Sequence, residues 1–183
     1  MQHKELGQFL YHGSNVRVER IDLSFSAPDK DFGQGFYTTS DESQARKFAI
    51  IKAHRNNLDE GWVSIFSCNT DDGLRVKRFG RPDSEWLDFV LANRGFIEPG
   101  SREAQNASES AFDVVIGPVA NDSVGTTLNL YVSGAYGKPG SDEAKRIAVE
   151  LLLTQKSNNQ VFFANPTAVD RLIFERSYAV NAR

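Results

Sequence analysis

Short apolar runs and helically spaced apolar residues follow one another along this chain and predict a mixture of strands and helices. Apolar runs that end at turn residues predict strands at Gln8–Tyr11, Trp62–Cys68, Phe112–Pro118, Val161–Phe163 and Leu172–Val180. Helical spacing predicts helices over Asp41–Asn56, over Asp83–Arg94, from Asn121 to Gly134, after Ser141 and, briefly, after Asn165. No internal repeat stands out, so the chain is expected to fold as one α+β domain over residues 1–183.

Two further parts of the pattern make more specific predictions. Leu74–Phe79 alternates apolar with basic residues after the turn signal Asp71–Gly73, which predicts a hairpin with Trp62–Cys68. Residues 15–30 are expected to form an irregular connection, and the polar residues 98–110 a surface loop. The helices are expected to bury, in chain order, Ala45, Phe48, Ala49 and Ile51; Trp86, Leu87, Val90 and Leu91; Val124, Leu128 and Tyr131; and Ala144, Ile147, Ala148, Leu151 and Leu152.

The stretch Asp31–Thr39 joins two glycines to a strand-forming run and to the start of the first helix. Gly33 and Gly35 allow backbone conformations closed to other residues, and they let a ligand or another strand approach closely. The aromatic and threonine residues that follow favour a short strand. Thr39, with Glu42 three residues later, fits a capping box for the helix.

The composition is that of an ordinary soluble protein, with 40% hydrophobic and 25% charged residues in a chain of 183. A net charge of −3 indicates no chain-wide attraction to nucleic acid or anionic membranes. No segment has the apolar length of a signal core or a membrane span, so a cytoplasmic protein without membrane contact is expected. Cys68 is the single cysteine, which excludes an intrachain disulfide and predicts a buried thiol.

Several common catalytic motifs are missing from the chain. It has no nucleotide P-loop, no G-x-G-x-x-G fingerprint at a strand–helix junction, no G-x-S-x-G elbow and no Cys/His spacing for a metal ion. Three residues stand out instead because each lies at a predicted strand: His12, Tyr37 and Gln160. Taken singly, each is expected to be structural: His12 as a hydrogen-bonded histidine, Tyr37 as a core or rim ring, and Gln160 as a turn or strand-edge residue. Their order along the chain gives the combination more weight.

Three segments of the chain resemble the signature strands of the ADP-ribosyltransferase superfamily. They are Leu10–Ser14, with the sequence LYHGS, Asp31–Thr39, with DFGQGFYTT, and Asn159–Val161, with NQV. Their order is most similar to the diphtheria-toxin-like, poly(ADP-ribose)-polymerase-like branch, whose pattern is His–Tyr–Glu. With Asp113–Asp122 included, the chain also resembles a bacterial domain family of unknown function that is placed in that superfamily. The resemblance runs from about Phe9 to Val180, nearly the whole chain.

The resemblance implies a split two-sheet core with flanking helices, with NAD bound as cosubstrate in the cleft between the sheets. His12 would form a hydrogen bond with an NAD ribose hydroxyl, and backbone groups of Gly13 would hold the nicotinamide carboxamide. Tyr37 would stack on the nicotinamide ring. Ser14 and Gly35 would also lie against the cofactor.

The chain departs from the family pattern at the third signature position, where Gln160 stands in place of glutamate. With His12 and Tyr37 it completes the implied catalytic set, which includes no metal. This third residue normally orients the nicotinamide ribose and stabilises an oxocarbenium-like transition state. A carboxamide can orient a ribose hydroxyl, but it carries no charge and takes no proton.

Three outcomes stay open for a site with glutamine at this position. The protein could transfer ADP-ribose to an acceptor that needs no general base, such as a carboxylate, a phosphate or a nucleobase nitrogen. Another carboxylate could assist, or the protein could bind NAD or ADP-ribose without turnover. The candidate carboxylates are Asp31, Asp113 and Glu109.

The function implied by the resemblance is therefore an NAD-dependent mono-ADP-ribosyltransferase that modifies a protein or a nucleic acid, as a bacterial toxin or effector. The alternative is a non-catalytic NAD- or ADP-ribose-binding module. A toxin of this kind would have an antitoxin or immunity protein as a further partner.

Overall fold

The computed structural model describes residues 9–68, 73–96, 112–118, 122–154 and 159–183, which form two β-sheets and a set of helices packed on them. The seven strands in these residues are β1 (Leu10–Ser14), β2 (Phe36–Thr38), β3 (Glu60–Cys68), β4 (Val76–Arg78), β5 (Val114–Pro118), β6 (Asn159–Phe163) and β7 (Leu172–Asn181). The five α-helices are α1 (Glu42–Arg55), α2 (Ser84–Asn93), α3 (Asp122–Val132), α4 (Asp142–Leu153) and α5 (Pro166–Val169). The α+β class and the two-sheet core expected from the sequence are confirmed.

The two sheets have different strand arrangements. The first has the order β1-β3-β7 and is antiparallel throughout. The second has the order β2-β6-β5-β4, in which β4 runs parallel to β5 and the other pairs are antiparallel. The predicted hairpin between Trp62–Cys68 and Leu74–Phe79 is therefore wrong, because β3 and β4 belong to different sheets. Alternation along a strand indicates which face is buried but does not identify the pairing partner.

The two sheets share an apolar core. Leu10 and Phe66 of the first sheet lie in one buried cluster with Phe36 and Phe163 of the second. The other face of the second sheet packs through Phe162 against α2, α3 and α4. The second sheet is therefore covered on both faces, which accounts for the continuous apolar runs of β5 and β6.

The predicted apolar stripes of three helices are largely confirmed. Asp83 and Ser141 cap α2 and α4 by accepting hydrogen bonds from the backbone N–H groups of Trp86 and Ala144. In α4, Leu151 is 39% exposed, so its predicted face is narrower than expected. The buried residues are Trp86, Leu87, Val90 and Leu91 in α2, Val124, Leu128 and Tyr131 in α3, and Ala144, Ala148 and Leu152 in α4.

Helix α1 buries alanines instead of large side chains. Ala45, Ala49 and Ala53 are its buried residues, whereas Phe48 and Ile51 are 44% and 43% exposed. The prediction that Phe48 and Ile51 face the core is wrong because α1 lies very close to the first sheet, where larger side chains would not fit.

The start of α1 also differs from the predicted capping box. Asp41 is the N-cap, and its carboxylate accepts hydrogen bonds from the backbone N–H groups of Ser43 and Gln44 at 2.8 and 3.2 Å. Thr39 accepts from the backbone N–H of Asp41, while Glu42 accepts from the hydroxyl of Tyr178. Thr39, Ser40 and Asp41 follow one another and are all residue types that cap helices, and the one nearest to the helix, Asp41, is the cap.

Some sequence predictions fall on residues outside the described ranges, including those for Asp71–Asp72, for the loop 98–110 with Glu109, and for Asn121. Cys68 is half-buried, and burial raises the pKa of its thiol to about 11. No helix within the described ranges is long and apolar enough to cross a membrane.

Candidate functional site

Among the described residues, the first and second sheets meet at a single backbone bridge between Tyr11 of β1 and Thr39, which follows β2 directly. Tyr11 N–H donates to Thr39 O at 2.8 Å, and Thr39 N–H donates to Tyr11 O at 3.0 Å. If this antiparallel pairing continued, Gly13 would lie opposite Tyr37. The described residues show no such pair, so the two strands separate at the point where two of the three signature segments meet.

The side chain of His12 forms a hydrogen bond with Tyr37 in place of the backbone pair that is missing between Gly13 and Tyr37. Its Nδ1 lies 2.7 Å from Tyr37 O, and its ring stacks on Phe36 with centroids 4.5 Å apart. Because a carbonyl oxygen only accepts, Nδ1 carries the hydrogen. Burial lowers the pKa of His12, while the hydrogen bond to Tyr37 raises it and the charge of Lys52 lowers it. His12 is therefore a neutral imidazole at pH 7, with a bare Nε2 that can accept a hydrogen bond.

Gly13 presents an unpaired backbone edge beside Tyr37. Backbone groups of alternate residues in a strand point to the same edge, so the N–H and C=O of Gly13 point the same way as those of Tyr11. No described residue forms a hydrogen bond with them on that side. Gly13 itself is buried, and buried backbone groups nearly always have a partner. A donor next to an acceptor is the complement of a carboxamide, which offers one oxygen and one N–H₂.

A second property of Gly13 is the close approach of α1. A Cβ at this position would overlap Ala45 O and lie 3.0 Å from Ala49 N. The glycine is therefore required by the packing of β1 against the backbone of α1. This packing holds the unpaired edge rigidly in place.

Tyr37 contributes a ring whose hydroxyl is already occupied. The hydroxyl donates to Gly33 O at 2.6 Å and accepts from Phe32 N–H at 3.2 Å. The ring packs on Phe162 at 4.8 Å between centroids and remains half-buried. Burial raises the pKa of the hydroxyl far above its usual value. Tyr37 can therefore offer an aromatic face to a ligand but is not a proton donor at physiological pH.

The other two predicted cofactor-binding residues have different surroundings. A Cβ at Gly35 would overlap the ring of Phe162 and lie 2.5 Å from Phe163 O, and its N–H donates to Ser26 Oγ at 3.2 Å. The space beside Gly35 is thus filled by other residues of the protein, and this close packing explains why a glycine stands at this position. Ser14 is half-buried and its hydroxyl lies 3.4 Å from Asn15 Oδ1. Contact of either residue with a cofactor stays a prediction.

Gln160 lies on the same face of the second sheet as Tyr37. Tyr37 is directly opposite Phe162 in the register of β2 and β6, and Gln160 is two residues from Phe162 on the same strand. The side chain of Gln160 is half-buried and forms no hydrogen bond with any described residue. The fold thus brings His12 and Gly13 next to Tyr37 and places Gln160 on the same sheet face as Tyr37, and the roles of these residues stay predictions.

Two of the alternative carboxylates are committed to structural contacts. Asp31 is buried, and its Oδ1 accepts from Arg94 Nε at 2.8 Å and from Arg94 Nη2 at 2.6 Å. Asp113 accepts from the backbone N–H of Arg75 at 2.7 Å and from Asn165 Nδ2 at 2.7 Å, and these contacts hold its pKa below the usual value. Asp113 precedes the start of β5, whereas Gln160 pairs with Gly117 about four residues, or roughly 13 Å, further along.

Sequence reasoning missed one group at this junction, the ammonium of Lys52. Its charge lowers the pKa of His12, which places it within electrostatic reach of the imidazole. The sequence shows that Lys52 is a basic residue on the helix after the Tyr37 motif, but it does not show in which direction the side chain points. In the part of the chain that the structure describes, no group of three or more His, Cys, Asp or Glu side chains is placed to hold a metal ion.

A sequence profile of DUF3990, a family described as protein of unknown function, matches residues 9–174, most of the chain. The chain belongs to the DUF3990 family. The match includes His12, Tyr37 and Gln160, so all three lie within the domain that defines the family. No curated protein and no solved structure matches this DUF3990 protein.

The half-buried, neutral imidazole of His12 predicts a dependence of stability on pH. Its pKa in the folded protein lies below 6.5, the value expected for the unfolded chain, so below pH 6.5 the unfolded chain binds a proton that the native state does not. The contribution is fully present above about pH 6.5 and is lost as the pH falls from there toward the folded pKa. We expect urea unfolding free energies to decrease between about pH 6.5 and pH 5 more steeply for the wild type than for His12→Asn. Parallel curves for the two proteins would contradict a lowered pKa at His12.

Proposed function

We propose that this DUF3990 protein is an NAD-dependent mono-ADP-ribosyltransferase of the ADP-ribosyltransferase superfamily, acting on a macromolecular acceptor. The observation that carries the proposal is the unpaired N–H and C=O edge of Gly13 beside the half-buried ring of Tyr37. A nicotinamide ring carries a carboxamide on a flat aromatic system, and this junction offers a complement to both parts. The neutral His12, with Nε2 available, adds an acceptor for a sugar hydroxyl.

In the proposed complex, each of these groups has a separate task. The carboxamide of nicotinamide receives a hydrogen bond from Gly13 N–H and donates one to Gly13 O, while Tyr37 stacks on the ring. His12 Nε2 accepts a hydrogen bond from a ribose hydroxyl. These contacts fix the glycosidic bond in one orientation, which lowers the entropic part of the barrier.

The proposed reaction replaces nicotinamide by the acceptor at C1′ of the ribose. The bond between C1′ and the nicotinamide nitrogen breaks, and its electron pair leaves with nicotinamide, which departs neutral and needs no proton. Positive charge builds up at C1′, and the oxygen of the Gln160 amide orients the 2′-hydroxyl of the same ribose. The acceptor then supplies an electron pair to C1′ to form the new bond.

The state of the carboxylates favours acceptors that are nucleophilic without a general base. Gln160 takes no proton, and the carboxylates of Asp31 and Asp113 are held by Arg94 and by Arg75 and Asn165. A carboxylate, a phosphate or a nucleobase nitrogen meets this condition. The same absence of charge at Gln160 favours the alternative function, a module that binds NAD or ADP-ribose without turnover.

The test of the proposal is nicotinamide release from NAD and transfer of label from NAD, labelled in its adenosine part, to components of a cell lysate. We expect release with the wild type and a loss of roughly 10- to 100-fold in His12→Ala and Tyr37→Ala, the effect of one lost contact in a preorganised site. His54→Ala is the matched control, because His54 also contacts a backbone carbonyl, but that of Ala182 instead of Tyr37. NAD binding without release in the wild type supports the binding module. No binding of NAD to the folded protein would overturn both functions.

The proposed partners follow from the same activity. An enzyme that modifies macromolecules in its own cytoplasm would arrest growth unless an antitoxin or immunity protein covered the site. Expression of the wild type is then expected to slow growth, and expression of His12→Ala is not. Equal growth with both proteins would contradict a toxin role.

A further inference from the structure

Three basic residues without a described acidic partner belong to the two segments that flank the Gly13–Tyr37 junction. They are Lys30, from the connection between β1 and β2, and Lys52 and Arg55, from the last turn of α1. None of them forms an ion pair with a described residue, whereas Arg17, Arg94 and Arg183 do. The negative end of the α1 dipole partly explains why basic residues, Lys52 and Arg55, occur in the last turn of this helix. It does not account for Lys30, which comes from a different segment.

The packing of α1 on β1 determines on which side of the helix the side chain of Lys52 lies. The backbone of α1 lies against Gly13 at Ala45 and Ala49, and Lys52 follows Ala49 by three residues, about one helical turn. The ammonium of Lys52 lies 5.5 Å above the centroid of the Phe48 ring, which holds the flexible side chain in one direction. This contact also gives a reason for an exposed phenylalanine on the helix.

Lys30 stands on the side of Tyr37. Its carbonyl accepts a hydrogen bond from Gly33 N–H at 3.1 Å, and Gly33 O in turn accepts the hydroxyl of Tyr37. Lys30 thus begins the turn that holds the Tyr37 ring. Lys52 belongs to the helix that packs on β1, and Lys30 to the segment that precedes β2, so a basic residue flanks each of the two strands that separate at the junction.

The three charges are close enough to act on one another. Burial lowers the pKa of Lys52, and the charges of Lys30 and Arg55 lower it further. Lys52 in turn acts on His12. Like charges gathered in this way destabilise each other, and an anion placed among them would reverse the effect.

We propose that Lys30, Lys52 and Arg55 form an anion site that receives the diphosphate of the dinucleotide whose nicotinamide end lies at Gly13 and Tyr37. The proposal rests on the proposed function for the identity of the ligand. A diphosphate carries two negative charges, and three cations from two segments can contact both phosphates. The charge of this site also selects a dinucleotide over nicotinamide or its riboside, which lack the diphosphate.

The test compares Lys52→Gln with Lys47→Gln in calorimetric titrations with NAD, nicotinamide and inorganic pyrophosphate. Lys47 is the matched control because it carries the same charge on the same helix, points about 140° away from Lys52, is exposed and forms no ion pair with a described residue. We expect Lys52→Gln to weaken NAD and pyrophosphate binding about tenfold, the effect of one lost charged hydrogen bond, and to leave nicotinamide binding unchanged. We expect Lys47→Gln to match the wild type, and added salt to weaken NAD binding less in Lys52→Gln.

The possible outcomes separate this proposal from the proposed function. If NAD binds equally well to Lys52→Gln and Lys47→Gln, the anion site is overturned and the function stands. If pyrophosphate binds and depends on Lys52 while NAD does not bind, the anion site stands and the proposed function fails. If neither binds to the folded wild type, both are overturned. Thermal unfolding of each variant confirms that the comparison is made between folded proteins.

Discussion

Replacement of Gly13 by alanine is expected to lower the free energy of unfolding by about 3 kcal/mol, at the upper end of overpacking effects. The new methyl group would overlap Ala45 O and lie 3.0 Å from Ala49 N. Both atoms belong to the backbone of α1, so a change of side-chain rotamer cannot relieve the overlap. The helix and β1 must move apart, which also opens the contacts of Ala45 and Ala49 with Val63.

The matched control for this substitution is Gly125→Ala. Gly125 lies inside α3, and a Cβ at this position meets no atom within 4 Å. The added methyl group is expected to stabilise the protein by about 0.5 to 1 kcal/mol, because alanine favours the helix over glycine. Urea denaturation of the two variants measures both effects. A Gly13→Ala protein as stable as the wild type would show that α1 does not pack on β1 as described.

Replacement of Arg94 by alanine is expected to cost about 2 to 3 kcal/mol and to weaken NAD binding. The substitution leaves the buried carboxylate of Asp31 without the two hydrogen bonds from Arg94, and an uncompensated buried charge is strongly destabilising. The estimate lies below that for a fully buried pair, since the Arg94 side chain is 24% exposed. Asp31 precedes the turn that holds the Tyr37 hydroxyl through Gly33 O, so the ring loses part of its support.

The double variant with Asp31→Asn and Arg94→Ala separates the structural role of Asp31 from a catalytic one. We expect the double variant to recover stability relative to Arg94→Ala, because the buried charge that lost its contacts with Arg94 is gone. Urea denaturation gives the stabilities, and titration with NAD gives the affinities. If Asp31→Asn alone keeps its stability but loses nicotinamide release, Asp31 is the assisting carboxylate and its structural assignment is wrong.

The sequence predicted local features of the fold well, because they depend on residues close together in the chain. The start of α2 is an example: Asp83 follows Pro82, and Trp86 begins a stripe of apolar residues at helical spacing, as in the structure. The short strand β4 was placed in the wrong sheet, since its three residues carry no information about their partner β5. The face of α1 was wrong because the reason for its alanines lies in Gly13, more than thirty residues earlier.

The sequence indicated which residues come near one another at the junction, but not which of their atoms remain available for a ligand. The order of His12, Tyr37 and Gln160 indicated strands that meet, and the structure places them at one junction. Which atoms remain available depends on contacts far along the chain, such as the hydrogen bond of His12 to Tyr37 O. The cation Lys52 was missed for the same reason, because only the packing of α1 shows where its side chain points.

The central position of β6 sets the order in which the molecule can form during synthesis. In the second sheet β2 has β6 as its neighbour, and Thr38 bonds to Val161 across 123 residues of chain. At a translation rate of about 5 to 20 residues per second, β2 waits roughly 6 to 25 s for that partner to be made. The β3–β7 pair of the first sheet is equally late. The strand pairs on both sides of the Gly13–Tyr37 junction are therefore completed only after residues 159–181 have left the ribosome, so a partly synthesised chain lacks the β2–β6 and β3–β7 pairs.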